Sequence, residues 1–185
     1  FNAYKPFACG IVIHPSIDAC AQLREQGVKP EDVTRIDLRV HPLVLELTGK
    51  KTPQDGLQGK FSVYHGCAVG LIFGRAGEEE FSDHIVRRED VVTLRDKVNA
   101  VVDPSVREES VYVTAHLKDG RKVDVHVEHA IGSLQRPMTD AMLERKFHDL
   151  ADPILGAERS KQIIQACWNL SKAANLKDLL ALLKP

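Results

Sequence analysis

Val111-Tyr112-Val113-Thr114-Ala115-His116-Leu117 runs through Lys118-Asp119-Gly120-Arg121 into Lys122-Val123-Asp124-Val125-His126-Val127. Strand side chains alternate between two faces, so Val111, Val113, Ala115 and Leu117 share one face while Tyr112, Thr114 and His116 share the other. Val123, Val125 and Val127 repeat the pattern against Lys122, Asp124, His126 and Glu128. Between the runs, Asp119-Gly120 is a tight-turn pair, because glycine accepts a positive φ without steric cost. The stretch predicts an antiparallel hairpin with one apolar and one solvated face.

Upstream, Ile36, Leu38 and Val40 alternate with Arg35, Asp37 and Arg39, predicting a further half-buried strand that His41-Pro42 stops. Val98 to Val102 is a short strand candidate. Pro15 suits the first turn of a helix, with His14 before it and Ile13, Ile17, Cys20 and Leu23 at helical spacing. Gly27 ends that helix. A short helix is expected at Leu43 to Leu47, and the polar residues 48–60 read as a loop. Phe61 to Phe73 is the most apolar stretch and predicts a helix buried almost all round, Phe61 included. Glu78 to Lys97 predicts one or two more helices. After the hairpin, Gly132 to Pro137 is a loop. Three helices are then marked by Leu143, Phe147 and Leu150, by Ile163, Ile164, Cys167 and Leu170, and by Leu179 to Leu183. The sum is an α+β two-layer domain, with a mostly antiparallel sheet of about four strands and helices on one face.

A chain of 185 residues can bury a substantial core as one domain, here taken as 1–185. Its 43% hydrophobic and 28% charged residues are ordinary for a soluble protein. The apolar run Cys67–Phe73 is far too short to span a bilayer. A net charge of −1 lacks the basic excess of a nucleic-acid binder, so neither nucleic acid nor membrane is expected as a partner. Cys9, Cys20, Cys67 and Cys167 have no CxxC spacing, which argues against a zinc site and a secreted disulfide scaffold. Reduced thiols in a cytoplasmic protein are the expectation. The chain opens at Phe1 with neither an initial Met nor a leader, as a segment of something longer would. No GxGxxG, P-loop, HExxH or GxSxG motif occurs, so nucleotide binding and standard hydrolase machinery have no support.

Three groups of residues could carry chemistry. Lys5-Pro6-Phe7-Ala8-Cys9-Gly10 followed by His14 sets a cation and an imidazole before a helix start, whose backbone N–H groups favour negative charge. That suits a ligand bearing a carboxylate. An exposed lysine and a helix-capping histidine are the simpler account from spacing alone. Ser62, Tyr64 and His65 open the apolar helix. A buried tyrosine needs a partner for its hydroxyl and could orient a substrate or pass a proton, or could simply be a satisfied core residue. His116, Asp124, His126, Glu128 and His129 gather around the hairpin, where facing histidines would suggest a metal. The alternation reads them more simply as the polar positions of a half-solvated sheet, and no metal is expected.

Four segments, in order, resemble the MmgE/PrpD family. They are Lys5-Pro6-Phe7-Ala8-Cys9-Gly10 with His14-Pro15-Ser16-Ile17-Asp18-Ala19, then Lys60-Phe61-Ser62-Val63-Tyr64-His65-Gly66-Cys67-Ala68, then the hairpin with Leu117-Lys118-Asp119-Gly120-Arg121, then Gly132 with Arg136-Pro137-Met138-Thr139 and the helix to Phe147. The family includes 2-methylcitrate dehydratases, cis-aconitate decarboxylases and iminodisuccinate epimerases. The resemblance implies a cofactor-free lyase or isomerase acting on a small di- or tricarboxylic acid by proton abstraction beside a carboxylate. It implies that this chain is the C-terminal or lid domain, with an all-helical N-terminal domain outside it, a shared active site and a homodimer. On the matching positions Lys5, Tyr64 and His14 become the catalytic candidates, and Cys9, Gly10 and Ser62 the substrate-binding ones. Gly10 departs from the decarboxylase branch, where a histidine lies five positions after the lysine. The spacing into His14 departs from the 2-methylcitrate dehydratase branch. The alternative is a non-catalytic binding or assembly module that keeps the fold.

Overall fold

The computed structural model describes residues 3–184 and divides into two compact units, Phe1–Pro137 and Met138–Pro185. In the first unit, α1 (His14–Glu25) leads to β1 (Val33–Val40). A long crossover then carries α2 (Pro42–Thr48), α3 (Gly56–Gly59), α4 (Val63–Phe73), α5 (Asp83–Val86) and α6 (Glu89–Arg95) before β2 (Val98–Val102). β3 (Val111–Leu117) and β4 (Lys122–Val127) complete the sheet, in the order β2-β1-β3-β4.

The expected hairpin forms, with Val113 opposite Val125 and Ala115 opposite Val123; Leu117 pairs with Arg121, so the loop is Lys118-Asp119-Gly120, with Gly120 at φ 85°. β1 pairs antiparallel with β3 and parallel with β2, so the sheet is mixed and mostly antiparallel. A parallel pair needs a crossover rather than a tight turn, which the residues between β1 and β2 supply. Ile36, Leu38, Val40, Val111, Val113, Ala115, Val125 and Val127 are buried on one face under helices. The other face carries Arg35, Asp37, Arg39, Tyr112, Thr114, His116, Asp124 and His126. Its hub is Asp37, whose carboxylate takes hydrogen bonds from Asn99 at 3.0 Å and pairs with Arg35 at 2.7 Å and His116 at 2.8 Å. Burial pushes the carboxyl up, but Asn99, His116 and Arg35 together outweigh it and hold the carboxyl below its usual range.

α4 is helical for local reasons. Ser62 Oγ accepts from His65 N–H at 3.1 Å as the N-cap, and Gly74 at φ 68° ends the helix in the left-handed region. Arg24 from the last turn of α1 donates to the Ile72 carbonyl at 2.7 Å, satisfying a free end of α4. The helix is buried from Val63 to Leu71, which explains its unbroken apolar character.

Two local expectations change. Phe61 lies before α4 and is 48% exposed, because the chain turns at Lys60 and helix geometry begins only at Val63. The stretch 48–60 is not wholly loop: Asp55 caps α3 through a 2.8 Å bond from Gln58 N–H.

The second unit comprises α7 (Asp140–Leu155), α8 (Ala157–Trp168) and α9 (Lys177–Leu182). Thr139 is the N-cap of α7. Trp168 donates to Glu144 at 2.6 Å, tying α8 to α7, and Arg159 donates to the Leu182 carbonyl at 2.7 Å, tying α8 to α9. Among the described residues no helix is long and apolar enough to cross a membrane.

Candidate active site

The segment ahead of α1 forms no strand, yet three backbone bonds fix it. Tyr4 N–H donates to the Gly132 carbonyl at 3.1 Å, Ala8 N–H to Ala76 at 2.9 Å, and Gly10 N–H to Lys60 at 3.1 Å. An extended segment without ladder bonds must find such partners, because buried backbone groups are costly to leave unpaired. Lys5 is exposed at the start of the clamped stretch, while Phe7 and Cys9 turn inward.

The Gly10–Lys60 bond brings this segment to the turn that opens α4 and carries Ser62 and Tyr64. Lys60 Nζ pairs with Glu78 at 2.6 Å. Lys51 Nζ sits 5.7 Å from the centroid of the Tyr64 ring. Burial pushes the Cys9 thiol up to about 12, opposed first by Lys5 and then by Lys60. Cys9 is therefore a neutral thiol with two lysines near enough to act on it, and it is no nucleophile at neutral pH. Lys5 and Lys51 are exposed cations, whereas the charge of Lys60 is met by Glu78.

Tyr64 is 5% exposed, and burial, with Cys67 adding, pushes its phenol up. It stays protonated and can donate. No hydrogen bond to its hydroxyl occurs among the described residues. Ser62 is fully buried, with its oxygen engaged as the α4 cap. His14 is the first residue of α1 rather than its cap, which is Ile13. It is buried edge-on against Phe7 with ring centroids 5.3 Å apart. A Cβ on Gly10 would stand 3.2 Å from Thr48 Cγ2, so this position meets the end of α2 closely.

The hairpin histidines do not converge. His116 pairs in register with Lys122, while Tyr112 faces His126 and stacks on it at 4.0 Å. Among the described residues no group of three His, Cys, Asp or Glu side chains could hold a metal ion.

A clamped lysine segment, a histidine-led helix, a tyrosine-bearing buried helix and a late hairpin follow one another here. Residues 7–170 match the MmgE/PrpD C-terminal domain family. The chain belongs to that family. The match of this MmgE/PrpD C-terminal domain opens at Phe7, two positions after Lys5. It is 24% identical over 126 residues to a 2-methylcitrate dehydratase of Escherichia coli strain K12, covering 62% of this chain and 26% of the relative. A mitochondrial 2-methylcitrate dehydratase of Yarrowia lipolytica is 26% identical over 128 residues, covering 62% and 24%. A cis-aconitate decarboxylase of Aspergillus terreus is 24% identical over 197 residues, covering 97% of this chain and 40% of that protein. The MmgE/PrpD domain thus spans well under half the length of these relatives.

Lys60 and Lys51 are features of the site that pattern reading did not single out. Lys60 immediately precedes Phe61-Ser62-Val63-Tyr64, and Lys51 lies in the polar run 48–60. Both signals are visible in sequence once a reason to ask about them exists.

Proposed function

We propose that this chain is the C-terminal domain of a cofactor-free MmgE/PrpD lyase or isomerase. It works on a small di- or tricarboxylic acid in the manner of a 2-methylcitrate dehydratase, with an active site completed by the family's helical domain. The observation that carries this reading is the Gly10–Lys60 backbone bond, which joins the Lys5 segment to the start of the Tyr64 helix. It supports a pocket edge where a cation and a neutral phenol serve one ligand.

In the proposed reaction a base on the helical domain removes the proton from the carbon next to a substrate carboxylate. The electron pair of the broken C–H bond passes onto that carboxylate, and Lys5 stabilises the charge that develops there. Protonated Tyr64 donates to the substrate, orienting it or assisting departure of the β-hydroxyl as water. Return of a proton to the opposite face would give epimerisation instead. Gly10, in place of a histidine, counts against decarboxylation. Reduced thiols suit a cytoplasmic protein.

The test is to assay this chain alone and joined to a family helical domain against 2-methylcitrate and citrate-like acids. The joined protein is expected to turn substrate over and the isolated chain to be silent. Lys5→Ala is expected to lower kcat about 100-fold or more, the range seen when one charge-stabilising donor is removed. Turnover by the isolated chain ends the shared-site reading, and full activity of Lys5→Ala removes the role given to Lys5.

A further inference from the structure

Asp18 is a carboxylate in the interior of α1, 4% exposed. Burying a charge is costly unless it is paired and hydrogen-bonded. Here both oxygens are engaged. Oδ2 accepts from Ile131 N–H at 2.9 Å and from Arg136 Nη1 at 2.5 Å. Oδ1 accepts from Gln22 at 3.1 Å and from Arg136 Nη2 at 3.4 Å. Arg136 Nη1 also donates to the His129 carbonyl at 3.3 Å. The two-pronged Arg–carboxylate contact fixes orientation as well as distance. The loop from His129 to Arg136 is thereby pinned to α1 at both of its ends.

The middle of that loop meets the Lys5 segment. Gly132 N–H donates to the Arg136 carbonyl at 2.8 Å, and Gly132 C=O accepts from Tyr4 N–H at 3.1 Å. Gly132 sits at φ 89°, a conformation that side chains rarely adopt. A Cβ there would stand 2.2 Å from the Tyr4 carbonyl and 2.8 Å from Pro6 Cδ. Both neighbours of Lys5 in the chain therefore rest on this one glycine.

We infer that Asp18 and Arg136 are positioning residues for Lys5. Their ion pair holds the 129–136 loop, the loop holds Tyr4 and Pro6 through Gly132, and the backbone of Lys5 is fixed between them. The inference rests on the reading of Lys5 as the cation of the active site. It assigns a role to a pair that touches no substrate.

Two measurements test it. In the full chain, hydrogen exchange of the Tyr4 amide is followed by NMR. Arg136→Ala, a change at a part-exposed side chain, is expected to speed that exchange about tenfold or more while leaving the β3–β4 amides unchanged. In the chain joined to its helical domain, the same variant is expected to lower kcat about tenfold with KM within about twofold, because a misplaced Lys5 loses charge stabilisation more than binding. Arg136→Lys keeps the charge with fewer donors and recovers part of both. Gly132→Ala leaves the ion pair in place, sets a methyl against Tyr4 and gives the same kinetic split. An unchanged Tyr4 exchange rate in Arg136→Ala overturns the inference whatever the activity. So does full activity of Arg136→Ala beside an inactive Lys5→Ala. Full activity of Lys5→Ala overturns instead the reading of the site on which the inference stands.

Discussion

Gly70 on α4 lies against the carbonyl of Ile17 on α1, so close that a Cβ added to it would stand 2.8 Å from that oxygen. One turn earlier, a Cβ on Gly66 would meet Ile17 Cγ1 at 3.0 Å and Ile13 Cδ1 at 3.3 Å. The two helices that roof the sheet approach this closely because α4 offers no side chain at either position. Backbone cannot rotate away as a side-chain tip can. Gly70→Ala is therefore expected to destabilise the unit by about 1–3 kcal/mol from overpacking, although alanine is the better helix former by about 1 kcal/mol. Gly66→Ala, which meets movable side-chain atoms, costs less. Urea unfolding followed by circular dichroism checks both, and an unshifted Gly70→Ala midpoint would contradict this account of the helix contact.

His65 gives the fold a defined acid sensitivity. It is fully buried on α4, with Nε2 2.9 Å from the Glu80 carbonyl, so the proton of the neutral ring belongs on Nε2. Nδ1 has no partner among the described residues. Burial, aided by Arg95 and opposed by the Glu80 hydrogen bond, lowers the pKa from 6.5 to about 4. The unfolded chain takes up a proton near pH 6.5 and the folded chain only near pH 4, so this contribution is whole above the unfolded value and drains away as pH falls between the two. Linkage puts the loss at about 2 kcal/mol between about pH 7.5 and pH 5. Unfolding titrations at those two pH values should differ by that much more in the parent than in His65→Gln. Equal differences would mean that His65 is not the titrating group.

The thiols predict a labelling pattern. Cys9, Cys20 and Cys67 are buried and Cys167 is exposed. Burial holds Cys9 at about 12, and Cys67 lies well above its ordinary value through its contact with Cys20 and its burial. Iodoacetamide near pH 8, read by peptide mass spectrometry, should modify Cys167 first, with the other three reacting only on unfolding. Rapid labelling of Cys9 in the folded chain would contradict its assignment as a neutral, solvent-shielded thiol.

Tyr64→Phe separates function from stability. The ring fills space between buried residues, while its hydroxyl takes no hydrogen bond among the described residues. Removing the oxygen should leave the urea midpoint within about 0.5 kcal/mol of the parent. In the joined enzyme it should lower kcat about 10-fold to 100-fold, the low end of what a positioned proton donor supplies. A variant that loses stability but keeps kcat would make Tyr64 a packing residue and nothing more.

Much of the fold was legible before any coordinates. The hairpin was readable because the period of two fixes which face is buried, and Asp119-Gly120 fixes where the chain reverses. The buried helix was readable from its apolar run, but its start was not. The Phe61 side chain looks like core by composition, and only the turn at Lys60 leaves it outward. Of the site candidates, Lys5, Cys9 and Gly10 share one clamped segment, which the Gly10–Lys60 bond ties to the start of α4, where Ser62 and Tyr64 lie. Ser62 proved to be occupied as a helix cap, a role that Ser-x-x-His fits but does not announce.

By itself the sequence determined the α+β class, the hairpin with its buried face and the family, because alternation, turn chemistry and the order of motifs are local properties of the chain. Only the tertiary structure decided that β2 joins the sheet parallel to β1 across the whole crossover from residue 41 to residue 97. It alone decided that Arg136 reaches back 118 positions to Asp18, and that Gly132 supports Tyr4 and Pro6 on either side of Lys5. The physical reason is the same in each case. A local pattern says which side of an element avoids water, whereas the partner that meets that side is selected by the packing of the whole domain.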